Sequence, residues 1–125
     1  MSARADAGHS LLALGIGVAC GVGLALVDTV AFHGEVSPIV IVALLLTATF
    51  TAGLLGGRRG WIVAVCMWSP LPLVHAVKHL LTLPDTLHPN TWSSLLTLAA
   101  FTLVVADAGV VCGSAVHRSS AAARR

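Results

Sequence analysis

Asp107 stands within "TLVVADAGVVCG", a carboxylate inside a run of apolar and small residues. An acid in such surroundings can bind a proton or a cation, or tie two helices together through a hydrogen bond. Which chemistry is open to it depends on what shares its depth. Thr47 and Thr51 offer hydroxyls, and "SPLP" at residues 69–72 offers Ser69 together with Pro70 and Pro72. Proline has no N–H to donate, and its ring crowds the carbonyl four residues earlier. The carbonyls of Cys66 and Trp68 should therefore lose their helical partners. A buried acid facing an interrupted helix suits proton- or cation-linked transport. The same acid could equally be interhelical glue, worth about 1 kcal/mol.

A second group of chemically capable residues lies near one end of the segments, away from the mid-depth of Asp107. It comprises His33, Glu35, His75, His79, Asp85 and His88. Residues 75 and 79 are four apart and share one helical face. Two imidazoles so placed hold a transition metal if a third ligand arrives, and His33, Glu35 or His88 are the candidates. Lys78 beside them repels a cation, so no metal is expected. A bis-histidine haem needs imidazoles at matching depth on two helices, and only the third segment carries one well inside. No cofactor is expected. Cys20, Cys66 and Cys112 all fall in apolar stretches without a CxxC pair and read as packing residues. There is no phosphate-binding glycine loop, nucleophile elbow or paired catalytic carboxylate, so no enzymatic reaction is expected.

The elements that carry these residues follow from composition. Of 125 residues, 57% are hydrophobic and only 10% charged, with a mean hydropathy of +0.93. A soluble domain carries about 25% charged residues and could not hide this much apolar surface in one small core. Lipid is the natural solvent. Four apolar stretches, residues 10–32, 38–56, 60–81 and 92–117, are long enough to supply the roughly 17–25 residues a helix needs to cross a bilayer. The predicted fold is all-α, a compact bundle of four transmembrane helices, with the third interrupted at Pro70 and Pro72. Residues 1–9 and 118–125 are predicted to be tails. The first apolar run is too long for a cleaved signal peptide, and no A-x-A site follows it.

Basic residues give a direction. Arg4, Arg58, Arg59, Arg118, Arg124 and Arg125 fall on one side of the four stretches and Lys78 on the other. The positive-inside rule then places both termini in the cytoplasm of a plasma-membrane protein. Trp61 and Trp92 fall near the interfaces. The formal charge of +2 gives no reason to expect nucleic acid.

Helices in lipid associate where small residues let their backbones approach. Gly17 and Gly21, Gly53 and Gly57, and Gly109 and Gly113 are such pairs, and Gly15, Ala19 and Gly23 form a further stripe. In size and crossing number the chain resembles small multidrug-resistance transporters and dual-topology fluoride channels. It lacks the first-helix glutamate of the former. It also lacks the glycine-arginine signature and pore asparagine of the latter, Asn90 being its only asparagine. The expected role is a non-enzymatic membrane component that packs with itself or a larger partner. The alternative is a minimal proton- or cation-linked transporter working through Asp107.

Overall fold

A computed structural model describes residues 2–30, 37–85, 87, 89 and 91–125, with the side chains of residues 2–7 outside that description. Among the described residues every regular element is helical. They are α1 (Ser2–Val30), α2 (Pro38–Gly56), a 3-10 turn (Gly57–Arg59), α3 (Gly60–Trp68), α4 (Pro70–Leu80) and α5 (Trp92–Ala123). The helices start and stop where local chemistry dictates. Pro38 opens α2 at the first helical position, where its fixed φ suits the helix and its missing N–H is not needed. Thr91 caps α5, its Oγ1 accepting from the Ser94 N–H at 3.2 Å. Gly57, at φ +53°, ends α2 in the left-handed region that a side chain would disfavour.

Three helical stretches are long and apolar enough to cross a membrane: Gly8–Val30, Pro38–Leu80 and Trp92–Ala123. This corrects the predicted count of four. The "GGRRG" segment, expected to separate two helices, is itself helical, because the Gly57–Arg59 turn runs directly into α3. The two predicted middle helices therefore form one helical stretch of 43 residues. That stretch is bent back on itself. Gly60 packs against the Ala52 carbonyl, so α3 returns along α2.

The predicted interruption of the third helix is present but confined to Ser69. Its backbone keeps right-handed helical angles, φ −57° and ψ −37°. Ser69 N–H still reaches the Val65 carbonyl at 3.0 Å, and the Leu73 N–H reaches Ser69 O at 3.3 Å. The Cys66 carbonyl, deprived of a donor by Pro70, takes the Ser69 hydroxyl at 3.3 Å instead. One side-chain hydroxyl thus replaces the missing amide, and the helix does not unwind. The predicted tails are also more regular than expected. α1 begins at Ser2 and α5 continues to Ala123, through segments whose alanine content favours helix.

Small residues set the helix contacts. Gly17 lies on Val63, and Gly21 lies on the Met67 carbonyl and Pro70, joining α1 to α3 and α4. Gly53 meets the Val110 carbonyl, Gly109 meets Thr49 Oγ1 and Gly113 meets the Phe50 carbonyl, so α2 and α5 contribute reciprocally. Gly57 lies against the His117 ring, 3.1 Å from a Cβ built on it, and His117 Nδ1–H donates to the Leu54 carbonyl at 2.8 Å. The Gly15–Ala19–Gly23 stripe behaves differently. Among the described residues nothing lies within 4 Å of a Cβ at Gly15 or Gly23, so these face outward.

Leu24, Leu45 and Ala106 form the core, with Trp68 and Val105 packed against them. The outer surfaces stay apolar: Leu11, Leu55, Leu96, Val104 and Val111 are all well exposed. An exterior of this kind is stable against hydrocarbon and unfavourable against water.

Candidate functional site

The residue that concentrates the chemistry is His75, on α4. It is 2% exposed, although its helix presents Leu73 and Val77 outward. Its burial places both ring nitrogens against carboxylates. Nε2 lies 2.7 Å from Asp28 Oδ2, and Nδ1 lies 2.8 Å from each oxygen of Asp85. Asp28 comes from the last turn of α1 and Asp85 from the segment after α4. One imidazole therefore joins three separate parts of the chain.

Proton counting constrains this cluster. A carboxylate oxygen can only accept, so each ring nitrogen that bonds to an ionised carboxylate must carry a proton. With both carboxylates ionised the ring is an imidazolium. If the ring is neutral, one carboxyl must hold the remaining proton. In either case the cluster stores one proton more than two free carboxylates and a neutral imidazole would. Lys78 Nζ lies 3.8 Å from Asp85 Oδ1, so two positive groups face two negative ones. Balance is required here, because the Asp85 side chain is wholly buried and that of Asp28 only 20% exposed. An unpaired buried charge would cost several kcal/mol.

A cavity of about 200 Å³ opens beside the cluster. Asp28 and His75 form its polar wall, and Ile41, Val42, Leu71, Leu98 and Phe101 form its apolar walls. Thr102 also lines it, with its polar capacity already committed: Oγ1 accepts from Trp68 Nε1–H at 2.9 Å and donates to the Leu98 carbonyl at 2.7 Å. The cavity is thus built from α1, α2, α4, α5 and the segment containing Leu87. It lies at the end of the bundle opposite the Gly57–Arg59 turn, since α1 finishes and α2 begins there.

No protein family, curated protein or solved structure matches the chain. What the site can do must therefore be argued from its own atoms.

The residues singled out from sequence are distributed otherwise. Asp107 is half-buried on α5 and is not hydrogen-bonded to Thr47, Thr51 or Ser69. Those hydroxyls donate within their own helices, to the carbonyls of Ala43, Thr47 and Cys66. Thr47 and Thr51 are exposed. The buried threonine on α2 is Thr49, whose hydroxyl donates to Leu45 O at 2.8 Å. Pro70 packs on Gly21 and Pro72 is half-buried. The structure therefore does not assemble these residues into one polar site.

Of the candidate metal ligands, His33, Glu35 and His88 lie outside the described residues. His75 is held by Asp28 and Asp85, and His79 packs edge-on against Trp92 with ring centroids 4.6 Å apart. Among the described residues no group of three His, Cys, Asp or Glu side chains is arranged to hold a metal.

Asp28 carried no weight in the sequence because it sits in "LVDTV", close to the end of an apolar run, where an interfacial acid is ordinary. A usable signal was present nonetheless. Counted from the ends of their predicted segments, Asp28 is four residues deep in the first and His75 six residues deep in the third. At 1.5 Å per residue these depths agree to within about 3 Å.

Proposed function

We propose that this chain is a small multi-pass membrane protein of the proton-linked transport type, with Asp28, His75 and Asp85 as the proton-holding site. The observation that carries the reading is the buried imidazole bonded at both nitrogens to carboxylates and bordering a cavity. Ionisable residues inside membrane segments are expensive and mark ion or substrate pathways. A cluster that buries four ionisable groups, where apolar side chains of similar size would be cheaper, suggests a use for the proton it holds. This relocates the expected transport chemistry from Asp107, midway along α5, to the end of the bundle where α1 finishes and α2 begins.

The reading is non-enzymatic. Both ring nitrogens are taken by acids, which leaves His75 no free acceptor to draw a proton from a nucleophile. For topology, the 43-residue middle stretch is about 65 Å long if straight, twice the hydrocarbon thickness. We place its bend at Gly57 on the membrane surface, so that it crosses and returns. The basic residues around that bend and at the C-terminus then share the cytoplasmic side of the plasma membrane, and the Asp28–His75–Asp85 cluster faces outward.

The test is a proton-flux measurement in liposomes containing the purified chain and an internal pH-sensitive dye. The wild type should collapse an imposed pH gradient faster than His75→Gln, while Asp107→Asn should match the wild type. Equal rates for wild type and His75→Gln would refute the proposal.

A second reading, a packing component that associates with itself, is favoured by the outward-facing Gly15 and Gly23 on α1. It predicts that Gly15→Leu with Gly23→Leu shifts the chain from oligomer to monomer in detergent.

A further inference from the structure

The geometry points to a binding site for a small primary ammonium ion with an apolar or aromatic body, in the cavity beside Asp28. This rests on the proton-holding reading above and adds the class of ligand.

Hydrogen-bonding capacity is left unspent at Asp28. Both nitrogens of His75 are taken by carboxylates, and the Thr102 hydroxyl has both a donor and an acceptor partner. Asp28 gives Oδ2 to His75. Its Oδ1 has no hydrogen bond among the described residues, and its carboxylate lines the cavity. Among the described residues, the polar atom left for a ligand is thus an acceptor bearing negative charge. A ligand carboxylate or phosphate would be repelled. A bare divalent cation would find one such oxygen among the described residues where it needs about six.

An ammonium group can donate to Asp28 while its carbon skeleton rests against Ile41, Leu98 and Phe101. Volume agrees. A cavity of about 150 Å³ lined by Leu, Ile and Phe admits benzene, so the roughly 200 Å³ available here takes one ring and a short ammonium arm.

Binding has a defined proton balance. The ammonium brings one positive charge to Asp28. His75 releases its Nε2 proton to water and keeps Nδ1–H on Asp85; the bared Nε2 and Asp28 then each accept an N–H of the ammonium, so one cation enters as one leaves. The charged groups facing His75 support this exchange. Asp28 comes from α1, Lys78 from α4 itself and Asp85 from the following segment. α2 has no ionisable side chain, and α5 contributes Leu98, Phe101 and Thr102 to the cavity.

The experiment uses the full chain in detergent micelles with benzylammonium as the probe and benzyl alcohol as its neutral counterpart. Calorimetry in two buffers of different ionisation enthalpy counts the protons exchanged. Benzylammonium should bind with release of about one proton, and benzyl alcohol should bind far more weakly. Asp28→Asn should weaken benzylammonium by roughly ten- to a hundredfold. Should that variant fail to fold, Leu98→Trp fills the cavity from the opposite wall and should abolish binding. Equal binding of the alcohol and the ammonium, or full affinity in either variant, overturns the site.

Nitrogen-15 spectra of His75 separate this inference from the reading beneath it. Two ring N–H protons without benzylammonium binding would sink the ligand assignment alone. A single ring proton, with neither carboxyl protonated, would sink both.

Discussion

Replacing His75 by leucine tests the energetic logic of the cluster directly. The substitution removes the positive partner of Asp28, 2.7 Å away, and of Asp85, 2.8 Å away. Lys78 lies 3.8 Å from Asp85 and can compensate that acid in part. Breaking a buried ion pair by removing one member costs about 3–5 kcal/mol, because the remaining charge stays desolvated. Asp28 is partly exposed and should contribute the smaller share, while wholly buried Asp85 should dominate. His75→Leu should therefore destabilise the fold by about 3–5 kcal/mol. Removing the whole cluster, with Asp28→Leu, His75→Leu and Asp85→Leu together, should cost less than His75→Leu alone, since apolar replacement of a complete buried ion cluster is often neutral or favourable. Lys78, already 21% exposed, can then extend its ammonium to water. The assay is unfolding in mixed micelles of detergent and sodium dodecyl sulfate, followed by far-ultraviolet circular dichroism. The decisive quantity is non-additivity: the triple variant must be more stable than His75→Leu. If the three single costs simply add, or if His75→Leu costs under about 1 kcal/mol, the cluster is not a coupled buried network.

Three further outcomes are expected. Gly109→Ala and Gly113→Ala put a Cβ onto Thr49 Oγ1 and the Phe50 carbonyl respectively, so each should cost about 1–3 kcal/mol in the same unfolding assay. Gly15→Ala and Gly23→Ala meet nothing within 4 Å among the described residues and should stabilise α1 by up to about 1 kcal/mol, the intrinsic helix preference of alanine over glycine. Trp68→Phe removes the donor to Thr102 but leaves that hydroxyl bonded to Leu98 O. The loss, read by thermal denaturation, should stay near 0.6 kcal/mol and below about 2.

The sequence determined the apolar surroundings and the helical character of the chain, but not that the Gly57–Arg59 segment stays helical and joins two expected helices into one stretch. Runs of apolar residues longer than the bilayer requires leave little alternative to helices in lipid, because unpaired backbone groups have no partner in hydrocarbon. Small residues also bear on the packing. Gly17, Gly21, Gly53, Gly109 and Gly113 lie at helix contacts because close backbone approach depends on the local absence of a side chain. The polar residues could not be placed in the same way. Thr47 and Thr49 are two apart on one helix, yet the first is exposed and the second buried, a difference of rotation that composition does not carry. Asp107 drew attention through its depth, but depth does not specify neighbours. Asp28, His75 and Asp85 are separated by 47 and 10 residues. They became one site only when α1, α4 and the segment after it were brought together, and the electrostatic cost of isolating any one of them in the bundle keeps them so.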